Sequence, residues 1–164
     1  MMKRFYAVCS ATVFIGLCAS AQAQDLRRGE YLAKIMDCTG CHTTGALAGQ
    51  PDAAMFLAGS TIGFEVPGVG IVYPPNLTPD KDTGLGGWSA DDMVKAIRTG
   101  MRPDGRQLIP VMPYPSYSAL TDADAAALVA YLKSIKPIKH AAPAHTKQGD
   151  AAPAPYLSVV VPKR

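Results

Sequence analysis

The sequence predicts a mainly α-helical single domain, with three or more helices and one long loop rich in glycine and proline. Three stretches carry apolar residues at helical spacing, with capping residues or helix-stopping residues at their ends. Between the first two stretches, residues 43–88 contain many glycines and prolines. A connection of that length is uncommon in a small domain unless it is functional, so we expect it to wrap a binding site.

The first 23 residues have the layout of a secretory signal peptide. A basic start is followed by an apolar run over residues 5–17 and by small residues at the cleavage site, residues 21–23. The apolar run is short for a membrane span and no stop-transfer pattern follows it. We therefore expect a periplasmic protein with no integral membrane segment after cleavage. A lipoprotein anchored at Cys18 is the alternative, although Leu17 is a poor residue before a lipidated cysteine.

The composition of the mature chain limits its partners. Cleavage after Ala23 leaves 141 of the 164 residues, which is enough for one domain with one core. The leader holds two of the 16 basic residues and none of the 13 acidic ones, so the mature net charge is 14 − 13 = +1. Near-neutrality argues against a nucleic-acid partner, which would favour a basic patch.

The first helix is predicted over residues 25–37. Leu26, Leu32 and Ile35 recur at loose helical spacing, and Gly29 lies inside the run. A glycine in a helix interior costs about 1 kcal/mol relative to alanine. We therefore expect Gly29 to allow close packing against another helix.

A small β-hairpin is predicted within the long loop. Residues 62–75 alternate apolar and other residues on both sides of a Pro-Gly turn. In this hairpin Phe64 and Val66 are expected to face Ile71 and Tyr73.

The second and third helices have clear start and stop signals. Ser89 and Asp92 are spaced like a capping box, and Gly100 is a natural C-terminal stop. The third helix begins after Thr121 and ends before residues 136–137, a Lys-Pro pair. Its run of alanines offers a surface that a glycine-bearing helix can approach closely. These elements define the predicted domain, residues 24–137.

The last segment, residues 138–164, is rich in alanine and proline and has no useful periodicity. We expect an extended tail that is mobile or docks onto a partner. Its histidines, His140 and His145, are then simply solvated residues.

The motif "CTGCH" carries the chemistry. Cys38, Cys41 and His42 form the Cys-x-x-Cys-His signature of covalent c-type haem attachment. The two thiols add to the two porphyrin vinyl groups, and the two-residue gap on a helical turn lets both sulfurs reach neighbouring pyrrole edges. The adjacent histidine is then placed to donate an imidazole nitrogen to the iron. We expect one covalently attached haem c.

Other readings of the motif fit less well. A zinc site needs two more ligands, and the other histidines of the chain, His140 and His145, lie in the tail. A thioredoxin-like redox pair follows a strand and opens a helix, whereas here a predicted helix precedes the motif. A disulfide between Cys38 and Cys41 closes too short a loop to constrain the unfolded chain much.

A methionine is the expected second axial ligand of the iron. Met112, followed by proline in the segment before the third helix, is the preferred candidate, and a thioether ligand raises the reduction potential. Met101 is the competitor because it also lies in a loop, between residues that look exposed. Met36 and Met93 are expected in helix cores, and Met55 lies in the early loop.

Several residues are expected to support the haem. Buried carboxylates need hydrogen-bond donors, and four side chains are candidates for the haem propionates. These are Trp88, Asn76, Tyr73 and Arg106. The alternative is that Trp88 belongs to the core and that Asn76 opens a turn. Tyr114 and Tyr117 are expected to pack beside the Met112 segment.

Four stretches resemble the class I c-type cytochromes, and more closely the haem domains of cytochrome subunits of exported alcohol, gluconate and sugar dehydrogenases. They are "RGEYLAKIMDCTGCHT", "YPPNLTPDKDTGLGGWS", "IRTGMRPDGRQL" and "MPYPSYSALTDADAAALVAYLKSI", and they cover most of residues 27–135. The resemblance implies a class I cytochrome c fold with the first helix packed across the last. It also implies Cys38 and Cys41 as thioether sites and His42 and Met112 as axial ligands.

One departure from the resemblance shapes the expected organisation. Those subunits commonly carry three haem domains and a C-terminal membrane anchor, whereas this sequence shows one haem motif and no anchor pattern. We therefore expect a single-domain relative.

The predicted function is that of an exported monohaem cytochrome c that carries single electrons by Fe(III)/Fe(II) cycling and catalyses no reaction itself. We expect redox proteins as partners: a periplasmic dehydrogenase as donor, and a cytochrome or oxidase of the respiratory chain as acceptor. Such encounters are small and short-lived. Two alternatives stay open. One is a tightly bound electron-transfer subunit of a dehydrogenase. The other is a haem protein that reacts with a gas or peroxide, which needs an open sixth position.

Overall fold

A computed structural model describes residue 23 and residues 25–162 of the chain. The predicted leader therefore lies outside the described residues, apart from its last one. In the described part the fold is mainly α-helical, as predicted, with one small sheet. The elements in chain order are α1 (residues 25–35), α2 (Cys38–His42), β1 (Gly63–Val66), β2 (Gly70–Val72), α3 (Ala90–Thr99), α4 (Tyr114–Tyr117), α5 (Asp122–Ser134) and β3 (Tyr156–Leu157).

The hydrophobic core lies where α1, α3 and α5 meet. Each of these helices turns its apolar side inward, and one residue of the long loop completes the cluster. The buried members are Leu32, Ala33, Leu57, Met93, Ile97, Leu128, Val129 and Leu132. No helix in the described part of the chain is long and apolar enough to span a membrane.

Gly29 is the point at which α1 crosses α5, as predicted. A Cβ atom added at Gly29 would clash with the carbonyl oxygen of Ala127 and lie 2.6 Å from Cβ of Tyr131. Beside the crossing, Nε of Arg28 lies 2.8 Å from a carboxylate oxygen of Asp124. The absence of a side chain at Gly29 therefore sets how closely the two helices approach.

The caps of α3 and α5 are those predicted. Oγ of Ser89 accepts a hydrogen bond from the amide of Asp92 at 3.1 Å, and the Asp92 carboxylate accepts one from the amide of Ser89 at 3.1 Å. Gly100 ends α3 with a φ of 73°, in the left-handed region that glycine adopts without strain. Oγ1 of Thr121 accepts from the amide of Asp124 at 3.1 Å and so caps α5.

The first helix ends two residues earlier than predicted. Residues 36–37 form a turn, and Asp37 has a φ of 56°, which places it in the left-handed region. The chain then re-enters helix for the Cys-x-x-Cys-His motif. A Cβ atom added at Gly40 would lie 2.6 Å from Cγ of Asp37, so glycine at this position leaves room for the carboxylate.

The predicted hairpin is present, but its pairing was wrong by one residue. Phe64 pairs with Val72, and Val66 pairs with Gly70. The amide of Val69 donates to the carbonyl of Val66 at 3.0 Å, so the connection takes three residues instead of the Pro-Gly pair alone. The longer turn shifts the register and moves residue 73 beyond the paired strands.

The C-terminal segment is extended and is bound to the domain. We call residues 138–157 the strap. The amide nitrogen of the Asn76 side chain donates to the carbonyl of Ile138 at 2.7 Å. The backbone amide of Thr146 donates to the carbonyl of Ile71 at 3.0 Å. At the end of the strap β3 pairs with β1 in parallel, which gives the sheet the order β2-β1-β3.

The expectation of a simply solvated histidine was therefore wrong for His140. His140 is half-buried, and its Nδ1 lies 2.7 Å from the carbonyl oxygen of Ala58, to which it donates a hydrogen bond. His145 is exposed but borders the main cavity of the domain. The strap uses backbone groups and single side chains to bind, so it has no periodic pattern that the sequence alone would reveal.

The buried hydroxyl of Tyr73 offers a test of how firmly the strap is held. It donates to the carbonyl oxygen of Ala154 at 2.7 Å and accepts from the amide of the same residue at 3.3 Å. Tyr73→Phe is expected to lower the free energy of unfolding by about 1 kcal/mol, because both backbone groups lose their partner. Urea denaturation measures this change. Tyr156→Phe is the control, since Tyr156 is 42% exposed; equal stability of the two variants would contradict the prediction.

Candidate functional site

A cavity of about 330 Å³ lies between α2, α3, the hairpin and the segment that precedes α4. Its lining is mostly apolar, with a few polar side chains, and its volume falls in the range of small-molecule and cofactor sites. Residues from both ends of the domain and from the strap contribute to the lining. The predicted site residues are among them: Cys38, Cys41, His42 and Met112.

Both cysteines are carried on the single turn of α2. Residues three apart on a helix lie on the same face, and both Cys38 and Cys41 line the cavity. Neither forms a disulfide, and both are half-buried. Burial raises the pKa of Cys38 to about 11 and also raises that of Cys41, so both remain thiols at neutral pH. A protonated thiol is a poor metal ligand and a poor partner for disulfide exchange.

His42 is held in a defined protonation state. Its side chain is buried, and Nδ1 lies 2.7 Å from the carbonyl oxygen of Pro75. Because a carbonyl only accepts, Nδ1 carries the proton and donates it. Burial lowers the pKa of His42, while the hydrogen bond to Pro75 opposes that change. The imidazole is therefore neutral, and its Nε2 keeps a lone pair that suits a metal ion.

The two candidate methionine ligands differ in position. Met112 lines the cavity, in a turn where its amide donates to the carbonyl of Ile109 at 3.1 Å. Met101 forms an isolated β-bridge with Gln107, and it is absent from the cavity lining formed by the described residues. The geometry thus favours Met112 over Met101. Two helix methionines, Met36 and Met93, also line the cavity while packing with the core.

The lining also has polar side chains from segments other than α2. The guanidinium carbon of Arg102 lies 5.2 Å from the ring centroid of Trp88. Both side chains line the cavity, together with Tyr73 and His145. Sequence reasoning missed Arg102 and His145 as lining residues. The signal available for Arg102 was its place in the stretch "GMRPDGR", whereas nothing local distinguished His145.

These groups fit a covalently bound haem. Two unpaired thiols face an apolar cavity, next to a buried neutral imidazole with a free nitrogen and a thioether contributed by another segment. Within residues 23 and 25–162, no group of three or more His, Cys, Asp or Glu side chains is placed to hold a metal ion. The donor set therefore suits a haem iron and gives no support to a zinc site.

Comparison with known proteins agrees with the site. Residues 26–136 match the family described as cytochrome c. The chain belongs to the cytochrome c family. Membership implies a covalently bound haem c, and it confirms the fold class and the family resemblance drawn from the sequence.

Three relatives of this cytochrome c are cytochrome subunits of dehydrogenases. The gluconate 2-dehydrogenase cytochrome c subunit of Pantoea cypripedii is 40% identical over 144 residues, which cover 86% of this chain and 31% of the relative. The cytochrome c subunit of the quinone-type alcohol dehydrogenase of Gluconobacter oxydans is 38% identical, covering 84% and 28%. The fructose dehydrogenase cytochrome subunit of Gluconobacter japonicus is 42% identical, covering 76% and 24%. The chain spans less than a third of the length of these relatives.

The four candidate propionate donors of the cytochrome separate into two pairs. Trp88 and Tyr73 line the cavity, whereas Asn76 and Arg106 are not part of its lining in the described chain. Asn76 is buried and directs its side-chain nitrogen to the carbonyls of Ile138 and His140, at 2.7 and 3.2 Å. Asn76 therefore holds the strap in place.

Tyr117 joins the two sides of the cytochrome site. It lines the cavity, as expected for a residue beside the Met112 segment, and its hydroxyl donates to the carbonyl oxygen of Met36 at 2.6 Å. Burial raises the pKa of Tyr117 to about 12, so the hydroxyl keeps its proton. The bond links α4 to the turn before α2. Tyr114 packs against Gly100 at the end of α3 instead of lining the cavity.

Proposed function

We propose that this chain is an exported monohaem cytochrome c that carries single electrons. Cys38 and Cys41 would form the thioether bonds to the haem, and His42 and Met112 would ligate its iron. The observation that carries the proposal is the convergence of these four side chains on one apolar cavity from two distant segments. When bound, the haem supplies one-electron cycling between Fe(III) and Fe(II).

The chain's own residues keep the site rigid during such cycling. The Pro75 carbonyl fixes the orientation and the tautomer of His42 through the 2.7 Å hydrogen bond. The Tyr117–Met36 bond holds the segment after Met112 against the turn before α2. The apolar lining excludes water. These features favour a ligand set that changes little when the charge of the site changes.

The proposed organisation follows the sequence. Residues 1–23 are a leader for export to the periplasm, residues 24–137 form the haem domain, and residues 138–164 form the C-terminal segment that contains the strap. The names of the relatives support a dehydrogenase as the electron donor. The acceptor is proposed to be a cytochrome or oxidase of the respiratory chain.

The same names favour a second candidate, a tightly bound electron-transfer subunit of a dehydrogenase complex. Purification of the exported protein from its native host distinguishes the two. A free carrier elutes alone at the size of the monohaem chain, whereas a subunit elutes with a catalytic chain in fixed proportion.

The axial ligand is tested by optical spectroscopy of the exported protein. The oxidised wild type is expected to show the weak sulfur-to-iron band in the near-infrared region. Met112→Ala is expected to abolish that band, because it removes the thioether, and Met101→Ala is the matched control that keeps it. Survival of the band in Met112→Ala would contradict the assignment. A high-spin wild type without the band would instead support chemistry with a gas or peroxide at an open iron.

A further inference from the structure

His145 reaches the haem cavity from the strap, far along the chain from the Cys-x-x-Cys-His motif. Its neighbour Thr146 makes two hydrogen bonds to the backbone of Ile71. The Thr146 amide donates to the Ile71 carbonyl at 3.0 Å, and the Ile71 amide donates to Oγ1 of Thr146 at 3.3 Å. Gly70 has a φ of 124°, and a Cβ atom there would collide with the backbone around Thr146. The contacts of Thr146 with Ile71 and Gly70 therefore fix the position of the adjacent His145 at the cavity.

The charges around the cavity are divided between two places. Burial is the larger cause of the raised pKa of Cys38 and Cys41, and the negative charge of Asp37 raises the pKa of both thiols further. The charged groups that act on His145 are Arg102 and Arg106. Asp37, Arg102 and His145 line the cavity, and Arg102 and Arg106 share the carboxylate of Asp104, so this second region keeps a net positive charge. The cavity thus has an acidic residue next to Cys38 and a cationic region that includes Arg102.

The cationic region matches the chemistry of the porphyrin edge. Haem carries two carboxylates and no other ionisable substituent, and such groups need hydrogen-bond donors or cations when they leave water. The Tyr73 hydroxyl donates to Ala154, at 2.7 Å. The Arg102 guanidinium stacks on Trp88 and lies 3.3 Å from the carboxylate of Asp104. His145 is a lining imidazole, the side-chain type whose ordinary pKa is closest to neutral pH.

We propose that His145 binds a haem propionate and makes the reduction potential depend on pH. This inference rests on the proposed function, since it requires the haem. One electron enters from the donor protein and converts Fe(III) to Fe(II), and an imidazole nitrogen of His145 takes up a fraction of a proton from bulk water. The exposure of His145 at the cavity mouth allows that exchange.

The sign of the effect follows from charge. Adding an electron lowers the net charge at the cavity, which favours the protonated form of a nearby imidazole. The pKa of His145 is therefore higher in the reduced state than in the oxidised state. The potential is highest at low pH, falls as the pH rises between these two pKa values, and is constant again above them.

Several groups near His145 act on its pKa. Partial burial of the imidazole against the cavity lowers the pKa of His145, the backbone of Tyr73 raises it, and the two arginines lower it. A negatively charged haem propionate near the imidazole would raise the pKa of His145. This opposes the lowering by burial and by the arginines, and it brings the titration of His145 toward neutral pH. Other titratable groups on the same segments include the Tyr73 hydroxyl, Asp104, which pairs with both arginines, and on the strap Lys139, His140, Lys147, Asp150 and Tyr156.

The test is spectroelectrochemical titration of the haem-loaded, exported protein between about pH 5 and 8. The wild type is expected to show a potential that falls with rising pH, whereas His145→Gln shows a flat profile. His145→Arg keeps a permanent cation, so its potential stays near the wild-type value at low pH and does not change with pH. His140→Gln is the matched control from the same strap and is expected to retain the wild-type slope.

Three results of the titration would overturn the role proposed for His145. A flat wild-type profile, an unchanged slope in His145→Gln or a flat profile in His140→Gln overturns the inference. Visible absorption and circular dichroism of each variant verify that haem and fold are retained. Failure of the wild type to attach haem contradicts the proposed function itself, whereas an attached haem with a flat profile contradicts only the role of His145.

Discussion

Replacing Cys38 and Cys41 together with alanine is expected to yield a chain without covalent haem that is largely unfolded. The cavity that the two thiols border has a volume of about 330 Å³. At about 24 cal/mol per Å³, leaving a cavity of this size without its occupant costs about 8 kcal/mol. That cost is comparable to the whole stability of a typical domain, about 5–15 kcal/mol. Attachment of the cofactor and folding of the chain are therefore coupled.

The experiment has two readouts and a control within the same turn. Haem absorbance that stays with the chain under denaturing conditions reports the covalent bond, and far-ultraviolet circular dichroism reports the helices. Thr39→Ala lies between the cysteines and keeps both thiols, so it is expected to retain the haem. The prediction is contradicted by a double variant that keeps its haem through denaturation, or by one that is fully helical without it.

Gly29→Val is expected to destabilise the holoprotein by about 3 kcal/mol. The new side chain would meet the Ala127 carbonyl and the Tyr131 side chain, and a backbone oxygen in a helix has little freedom to move away. The α1–α5 crossing would have to open, which also disturbs the turn that leads into α2. Chemical denaturation of the haem-loaded protein measures the loss.

A second glycine provides the matched comparison. Gly87 has no atom within 4 Å of the position that a Cβ would take. Gly87→Val therefore adds the same atoms in open space, and we expect its stability to stay within about 0.5 kcal/mol of the wild type. Equal effects of the two substitutions would show that packing at the helix crossing is not what makes Gly29 important.

Local signals explain what the sequence predicted well. The caps at Ser89 and Thr121 depend on residues three positions away, so their side-chain contacts follow from the sequence alone. The Cys-x-x-Cys-His motif is equally local, and the closeness of Gly29 to another helix follows from the cost of a glycine in a helix. The cavity lining by Met112 required a longer inference, from its place before the third helix.

Long-range contacts explain what could not be predicted. Asn76 and Ile138 are 62 residues apart, and neither has a feature that indicates the other. The role of His145 at the cavity depends on where the strap crosses the hairpin, and that of Arg102 on how the segment after α3 packs on Trp88. The hairpin register was wrong because the pairing depends on whether Val69 belongs to the turn or to the strand, which the Pro-Gly pair alone does not determine.

The strap also has a kinetic consequence. Its side-chain hydrogen bonds to the rest of the domain join residues 57 to 82 positions apart, from His140 with Thr83 to His140 with Ala58. Closing loops of that length costs conformational entropy before any contact stabilises them, so such contacts form late in folding. Interactions that are absent from the transition state slow unfolding without slowing folding. The strap is therefore expected to dock after the transition state for folding. It then slows unfolding, which lengthens the lifetime of the folded cytochrome, and leaves the folding rate unchanged.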